Sequence, residues 1–172
     1  MRSAEIAGVP GLVEHLHVAR VAGAPMEPRA AVDAVAGRGL IGDRYGTGVG
    51  SYSAATPGPE RHLTLITAEA LEDLAAVHGI HLAPGSSRRN VTTRGIDLAA
   101  LVGQDLSVGD VRVRVVELCE PCGYLQRLLD VPRLVQMLDG RAGVNVEVVS
   151  GGTIRVGDAV DVTSSPVPSV LR

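Results

Sequence analysis

A chain of 172 residues, 45% of them hydrophobic and 20% charged, has the make-up of a soluble globular protein with room for one core, so residues 1–172 are read as one domain with its core over about 11–162. A formal net charge of -3 gives no general pull towards nucleic acid or an anionic membrane, and the absence of Phe and Trp removes the platforms on which single strands stack. All 16 basic residues are arginine, which excludes a lysine Schiff base with pyridoxal phosphate or a carbonyl substrate, and equally the P-loop lysine of nucleoside triphosphatases.

The N-terminus is broken by Glu5, Pro10 and Glu14, and no later run approaches the ~20 apolar residues that cross a bilayer, so a cytoplasmic protein is expected. There thiols stay reduced, and a close cysteine pair points to catalysis or metal binding before a structural disulfide. Gly11 to Arg20 alternates loosely and predicts a first strand. A long Gly- and Pro-rich stretch follows, with one short strand at Ala31 to Ala36; so long a loop in a compact domain is usually functional or mobile. Arg61 to Thr67 reads as a strand. The helix after it has Thr67 as N-cap, apolar positions at Leu71, Leu74 and Val77, and Gly79 as terminator.

Val111 to Leu118 is a strand in which valines alternate with Arg112 and Arg114. Its opening recurs: "LSVGDVRVRV" (Leu106 to Val115) and "IRVGDAVDV" (Ile154 to Val162) share an apolar residue, a Val-Gly-Asp turn and an alternating strand. With "GVNVEVVSGG" (Gly143 to Gly152) between them, two such units predict a closed or nearly closed barrel of short strands. The run from Pro121 to Gly140 supplies one or two covering helices, with Pro132 restarting the second, and residues 163–172 read as a tail.

Several motifs carry chemistry. "GRGLIG" (Gly37 to Gly42) has the letters of a dinucleotide-binding turn, but the glycine-rich sequence after it cannot form the required helix; what remains is a loop that brings backbone near a ligand, with Asp43 and Arg44 at its polar centre. His15 and His17 share a strand face and read as surface or half-buried residues in want of a third metal ligand; His78 and His81 read as structural. In "SSRRNVTTRG" (Ser86 to Gly95) the guanidinium groups of Arg88, Arg89 and Arg94 lie among the donors of Asn90, Thr92 and Thr93, the combination that takes a phosphate or carboxylate; the alternative is a solvated basic loop.

"ELCEPCGYL" (Glu117 to Leu125) holds both cysteines. A structural zinc site needs a second such pair, and a thioredoxin-like dithiol needs a βαβ setting that the barrel-like remainder lacks. A thiol at a helix N-terminus survives: with Pro121 at the first helical position, Cys122 falls in the first turn, where exposed amides favour a thiolate, and Cys119 ends the strand facing the core. Two buried, unreactive cysteines are the bland alternative.

In order along the chain, "GLIGDRYG", "RHLTLIT", "RRNVTTRGIDLAALVGQDLSVGDV", "CEPCGYL" and "GGTIRVGDAV" resemble the MOSC domain, the module named for the C-terminal part of molybdenum-cofactor sulfurases, over about Gly11 to Val162. The resemblance implies a mostly β fold, a barrel of the pyruvate-kinase-barrel-like kind with a few flanking helices. It implies that Cys122 is the functional thiol, carrying sulfur or ligating the molybdenum of a pterin cofactor, and that Arg88, Arg89, Asn90 and Arg94 help bind the anionic cofactor or substrate. It resembles the small stand-alone members, so none of the additional domains of larger members is expected. Three functions follow as expectations: molybdenum-cofactor (molybdopterin) chemistry that reduces N-hydroxylated compounds with electrons from a partner reductase; metal-free sulfur transfer through a Cys122 persulfide charged by a cysteine desulfurase, or thiolate attack on a sulfur-containing substrate; and non-catalytic carriage of the cofactor. The expected ligand is in every case a small molecule.

Overall fold

The computed structural model describes residues 9–47 and 62–163. Arg61, the expected start of the Leu63 strand, residues 48–60 of the Gly- and Pro-rich stretch and all of the expected tail beyond Thr163 lie outside the described residues. In chain order the elements are β1 (Gly11–Val18), β2 (Glu27–Arg29), β3 (Ala31–Val35), β4 (Gly39–Leu40), β5 (Leu63–Thr67), α1 (Ala68–His78), β6 (Val91–Arg94), β7 (Asp105–Val108), β8 (Val111–Leu118), α2 (Gly123–Leu129), α3 (Leu134–Met137), β9 (Val144–Ser150), β10 (Gly152–Arg155) and β11 (Ala159–Thr163).

The barrel expected from the repeated turn-strand units is present and closed. Its sheet runs β11, β7, β8, β9, β5, β6, β1, and β11 pairs back with β1 through Gly11 opposite Val160 and Leu12 opposite Ala159. Neighbours are antiparallel except β5 and β6, which run parallel because α1 carries the chain across between them. β2 extends the sheet beyond β1, and β10, β3 and β4 form a separate small sheet. The interior is filled by Leu16, Leu63, Leu65, Leu106 and a lining of valines from β6, β8 and β9. A barrel this narrow is filled by branched aliphatic side chains, so the lack of Phe and Trp costs it nothing.

The two Val-Gly-Asp turns place their strands side by side. Gly109 and Gly157 both take the left-handed backbone that such turns require (φ +57 and +94), and β8, β7 and β11 are consecutive in the barrel. The turns touch: a Cβ on Gly109 would sit 2.1 Å from the Asp158 carboxylate. On β8, Val111, Val113 and Val115 point inward, while Arg112 and Arg114 reach across to the buried Asp105 of β7.

Helix α1 is bounded as predicted. Thr67 Oγ1 accepts a hydrogen bond from the Ala70 amide at 3.2 Å, and Gly79 ends the helix in the left-handed region. The buried face differs from the expected one, being Ala68, Ala70 and Leu74, with Val77 72% exposed. Small residues let the helix lie close to the sheet, and this turns Val77 outward. Leu74 joins Leu125, Leu134, Leu138 and Ala142 in a second apolar cluster beside the barrel. Each fully buried leucine contributes about 1.5–3 kcal/mol relative to an exposed one, which holds helices as short as α2 and α3 that would be unstable alone. The break between them falls at Asp130 to Arg133, both of which are left-handed, with Pro132 inside it. This second cluster anchors α2, and with it the cysteine turn, at one end of the barrel.

Candidate functional site

At that end the cysteine turn, the 88–89 segment and the strand ends of β5, β8 and β9 enclose a cleft of about 340 Å³, within the size range of small-molecule sites. It is lined by Arg44 and Tyr45, by Thr64 of β5, by Arg88 and Arg89, by the run from Glu117 to Cys122, and by Asn145 of β9. Another cavity of about 350 Å³ between α1 and residues 95–99 holds no thiol, and its arginine, Arg141, is paired with Asp73.

The floor of the cleft is a buried polar network. Asn90, fully buried, accepts through Oδ1 from the amide and hydroxyl of Thr64, both at 3.1 Å, and donates through Nδ2 to the His17 carbonyl and to Asp43 Oδ1, again at 3.1 Å. Asp43 is likewise fully buried. Its Oδ1 also accepts from the Ala19 amide at 3.0 Å and from Arg44 Nη1 at 3.2 Å, and its Oδ2 from the Tyr45 amide at 3.1 Å. Asp43 is therefore the counter-ion beneath Arg44 and does not itself line the cleft. Arg44, 4% exposed, passes Nη2 to the Arg88 carbonyl at 3.1 Å and stacks over the Tyr45 ring at 4.6 Å.

Arg88 is 8% exposed, and its backbone is left-handed (φ +63). Its Nη1 donates to the Ala24 carbonyl at 2.6 Å, and its Nη2 is sheltered without a partner. Burial, and then the charge of Arg44, push its pKa below the usual arginine range, against the pull of Tyr124, Tyr45 and Asp43. Arginine stays protonated regardless, so two buried guanidinium groups share one buried carboxylate. Arg89 clamps the cysteine turn: Nε donates to the Ala142 carbonyl at 2.7 Å and Nη2 to the Cys119 carbonyl at 3.4 Å. The sheltered guanidinium groups favour an anion at this side of the cleft, because an anion would offset the cost of burying them, while Glu117 and Glu120 put two exposed carboxylates on the same lining.

The cysteine turn departs from the expectation in two ways. Cys122 is not in the first helical turn; it is the extended N-cap of α2 (φ -125, ψ 159), its carbonyl accepting from the Gln126 amide at 3.2 Å, and the helix starts only at Gly123. With seven residues, α2 has only a slight dipole to offer the thiol. Cys119 does not face the core. Both cysteines are half-buried in the same cleft, and Cys122 packs on the second apolar cluster. The Cys119 amide donates to the Gly143 carbonyl at 2.8 Å, which fixes the turn to the start of β9.

Of the arginine segment, the structure brings Arg88 and Arg89 to the cleft and Asn90 beneath it. Thr92 and Thr93 are buried in β6, with the Thr93 hydroxyl donating to the Ile66 carbonyl at 3.4 Å. Arg94, at the other end of β6, is held by Glu14 and Glu72, whose hydrogen bonds raise its pKa. His17, expected at or near the surface, is 4% exposed: after a bulge between Val13 and His15 it is Leu16 and Val18 that enter the barrel core, and His17, on the outer face between them, is covered by the turn at Gly85. Burial, and then His15, lower its pKa. Thr64 and Asn145 escaped the sequence reading. Each lies between two inward-pointing apolar residues, in the phase of its strand that ordinarily faces solvent, so "LTLIT" and "VNVEVV" gave no sign that Thr64 and Asn145 are buried.

A family model described as the MOSC domain matches residues 53–161. The chain belongs to the MOSC-domain family. The match spans β5 to β11, and β1 to β4, which supply Asp43 and Arg44 with the loop after them, precede it. Solved structures extend the likeness over most of the chain. The YuaD protein from Bacillus subtilis superposes with a TM-score of 0.74 at 18% identity, covering 88% of this chain and 94% of its own. YiiM from Geobacillus stearothermophilus gives 0.71 at 16% identity over 92% and 78%, and YiiM from Escherichia coli 0.63 at 19% over 90% and 69%. Identities this low speak to the fold alone. No curated protein matches the chain. The MOSC fold thus places the protein in a molybdenum-cofactor-related family, with the cysteine cleft at one end of its barrel.

Proposed function

We propose that the MOSC cleft binds a molybdenum pterin cofactor through its phosphate and that the loaded protein reduces N-hydroxylated small molecules with electrons from a separate reductase. The observation that carries this reading is the convergence of Arg44, Arg88 and Arg89 on the cleft that holds Cys122, with Asp43 as the one buried carboxylate among them. Arg44 and Arg89 line the cleft and would take the phosphate, Arg88 adding its charge. Cys122 would offer the metal a soft thiolate ligand. Among the described residues no three His, Cys, Asp or Glu side chains converge on a metal position, so the remaining ligands would come from the pterin. When bound, that cofactor supplies two-electron redox chemistry at the metal. Tyr45 and the Leu118 to Pro121 wall limit water at the cleft, while Thr64 and Asn145 offer polar contacts at its floor.

A second reading is favoured by the presence of both thiols in one cleft: a metal-free sulfur carrier in which Cys122 holds a persulfide received from a cysteine desulfurase. Metal analysis of protein made in a cofactor-competent host separates the two. Stoichiometric molybdenum, lost in Cys122→Ala and retained in Cys119→Ala, supports the first. Metal-free protein with a reducible sulfur adduct on Cys122 by intact mass supports the second. Loaded protein that reduces no N-hydroxylated compound with a competent electron donor would make the domain a carrier of the cofactor.

A further inference from the structure

Beside the cysteine cleft lies a cavity of about 350 Å³ with an apolar wall of Pro25, Met26, Pro84, Leu128 and Leu129. Among the described residues its one charged lining residue is Arg88, which lines the cysteine cleft as well, so the two spaces meet at this residue. Met26 ties them together from the other side, its Sδ accepting from Arg44 Nη1 at 3.4 Å. Arg88 is 8% exposed, its Nη2 has no hydrogen-bond partner among the described residues, and it holds a left-handed backbone that a residue with a Cβ keeps only where its surroundings impose it. Beside it, among the described residues, Ser87 Oγ has no hydrogen-bond partner, and neither has Nδ1 of His17 of β1, which packs against Gly85.

We infer that the two spaces form one binding tract for an amphipathic oxyanion, whose acidic group is taken by Arg88, whose reacting end reaches towards Cys122, and whose short apolar chain lies against Met26, Leu128 and Leu129. The chemistry of the wall selects this class. A cation would meet Arg88 and Arg44, and a polyol would leave its hydroxyls against five apolar side chains. A hydrocarbon chain gains from the same wall with each methylene it buries. The inference rests on the reading of the cysteine cleft as the reaction site, and gives its substrate an acidic group and an apolar body.

The test is a chain-length series of straight-chain carboxylates, acetate to decanoate, titrated calorimetrically into the intact protein, with alkylammonium ions of equal length as controls. Affinity should rise about fourfold per methylene beyond the first few carbons until the cavity is full, and the ammonium series should not bind. 2-Bromooctanoate, which carries a displaceable bromide on the carbon next to the carboxylate, should alkylate Cys122 several-fold faster than 2-bromopropanoate at equal low concentration in a Cys119→Ser background, the thiolate forming a C–S bond as bromide leaves. Leu128 is 45% exposed, so Leu128→Asp should fold and abolish the rise with chain length; Arg88→Gln should weaken every carboxylate at least tenfold. A flat series, equal binding of the ammonium ions, or an unchanged series in Leu128→Asp overturns the inference. A steep series in which the two bromo acids alkylate Cys122 equally fast overturns the joining of the two spaces. Molybdenum content does not enter these readouts, so the cofactor reading and this one fail separately.

Discussion

Asp43→Asn changes one atom in the most densely bonded part of the molecule, and its cost follows from the bonds. With its amide oxygen at the Oδ1 position, asparagine keeps the contacts from Ala19, Arg44 and Asn90, but its NH2 then faces the Tyr45 amide, donor against donor. A buried N–H left unpaired costs about 1–3 kcal/mol. The larger loss is charge: Arg44 is 4% exposed, and beside it Arg88 is 8% exposed, so removing the carboxylate leaves two sheltered cations uncompensated. Breaking a buried pair from one side costs about 3–5 kcal/mol. These terms overlap, and a net loss of about 4 kcal/mol is expected, a large share of the roughly 5–15 kcal/mol of a typical domain. With a urea slope of about 2 kcal/mol/M the unfolding midpoint, followed by circular dichroism, should fall by about 2 M. Arg44→Met in the same background should recover part of that loss, giving a coupling of at least about 2 kcal/mol in the double-mutant cycle. A single-mutant cost below about 1 kcal/mol, or a cycle without coupling, would refute the account of Asp43 as the counter-ion of the arginine cluster.

Three further outcomes are expected. Burial holds His17 below its ordinary value of 6.5, so the unfolded chain binds its proton first; stability is complete above about that pH and falls as pH drops from there towards the lowered folded value. Urea midpoints at pH 7.5 and 5.5 should show the drop, and His17→Gln should flatten it; equal slopes in the two proteins would argue against His17 as its source. Gly143 has φ +101 and its Cβ would lie 2.0 Å from the Leu65 carbonyl oxygen, so Gly143→Ala should cost more than about 3 kcal/mol and, because its carbonyl holds the Cys119 amide, should change the rate of cysteine alkylation in whatever protein still folds. Arg94→Gln should cost under about 1 kcal/mol, as exposed ion pairs do, and leave molybdenum loading intact, whereas Arg89→Gln should lower loading sharply; metal content of the two purified proteins decides it, and an equal loss would return Arg94 to the site.

The arginine segment shows where a linear reading stops. Arg88, Arg89 and Arg94 look like one cluster in sequence, but β6 extends the chain by about 3.3 Å per residue, so Arg94 lies roughly 13 Å beyond Asn90 and meets Glu14 and Glu72 instead of the cleft. The histidines fail for a related reason. The bulge between Val13 and His15 sends Leu16 and Val18 into the core and leaves His17 on the outer face, where the turn at Gly85 covers it, a contact that the sequence of β1 does not encode. Cys119 belongs to the same class: a residue at the end of a buried strand looks inward until the neighbouring strand ends and leaves a cleft there.

What the sequence by itself determined is what neighbouring residues determine. Thr67 and Gly79 bound α1 through hydrogen bonds and a backbone conformation reaching no more than a turn away, and the valines of β8 face inward because a strand has a period of two. The repeated Val-Gly-Asp turns announced paired strands, since only glycine takes their backbone without strain. Tertiary structure alone decided that Asp43 is buried beneath Arg44, that Arg88 stands between two cavities, and that both cysteines open into one of them. Each of these joins residues tens of positions apart, and the closure of β11 onto β1 that brings the chain round to them is a property of all the strands at once.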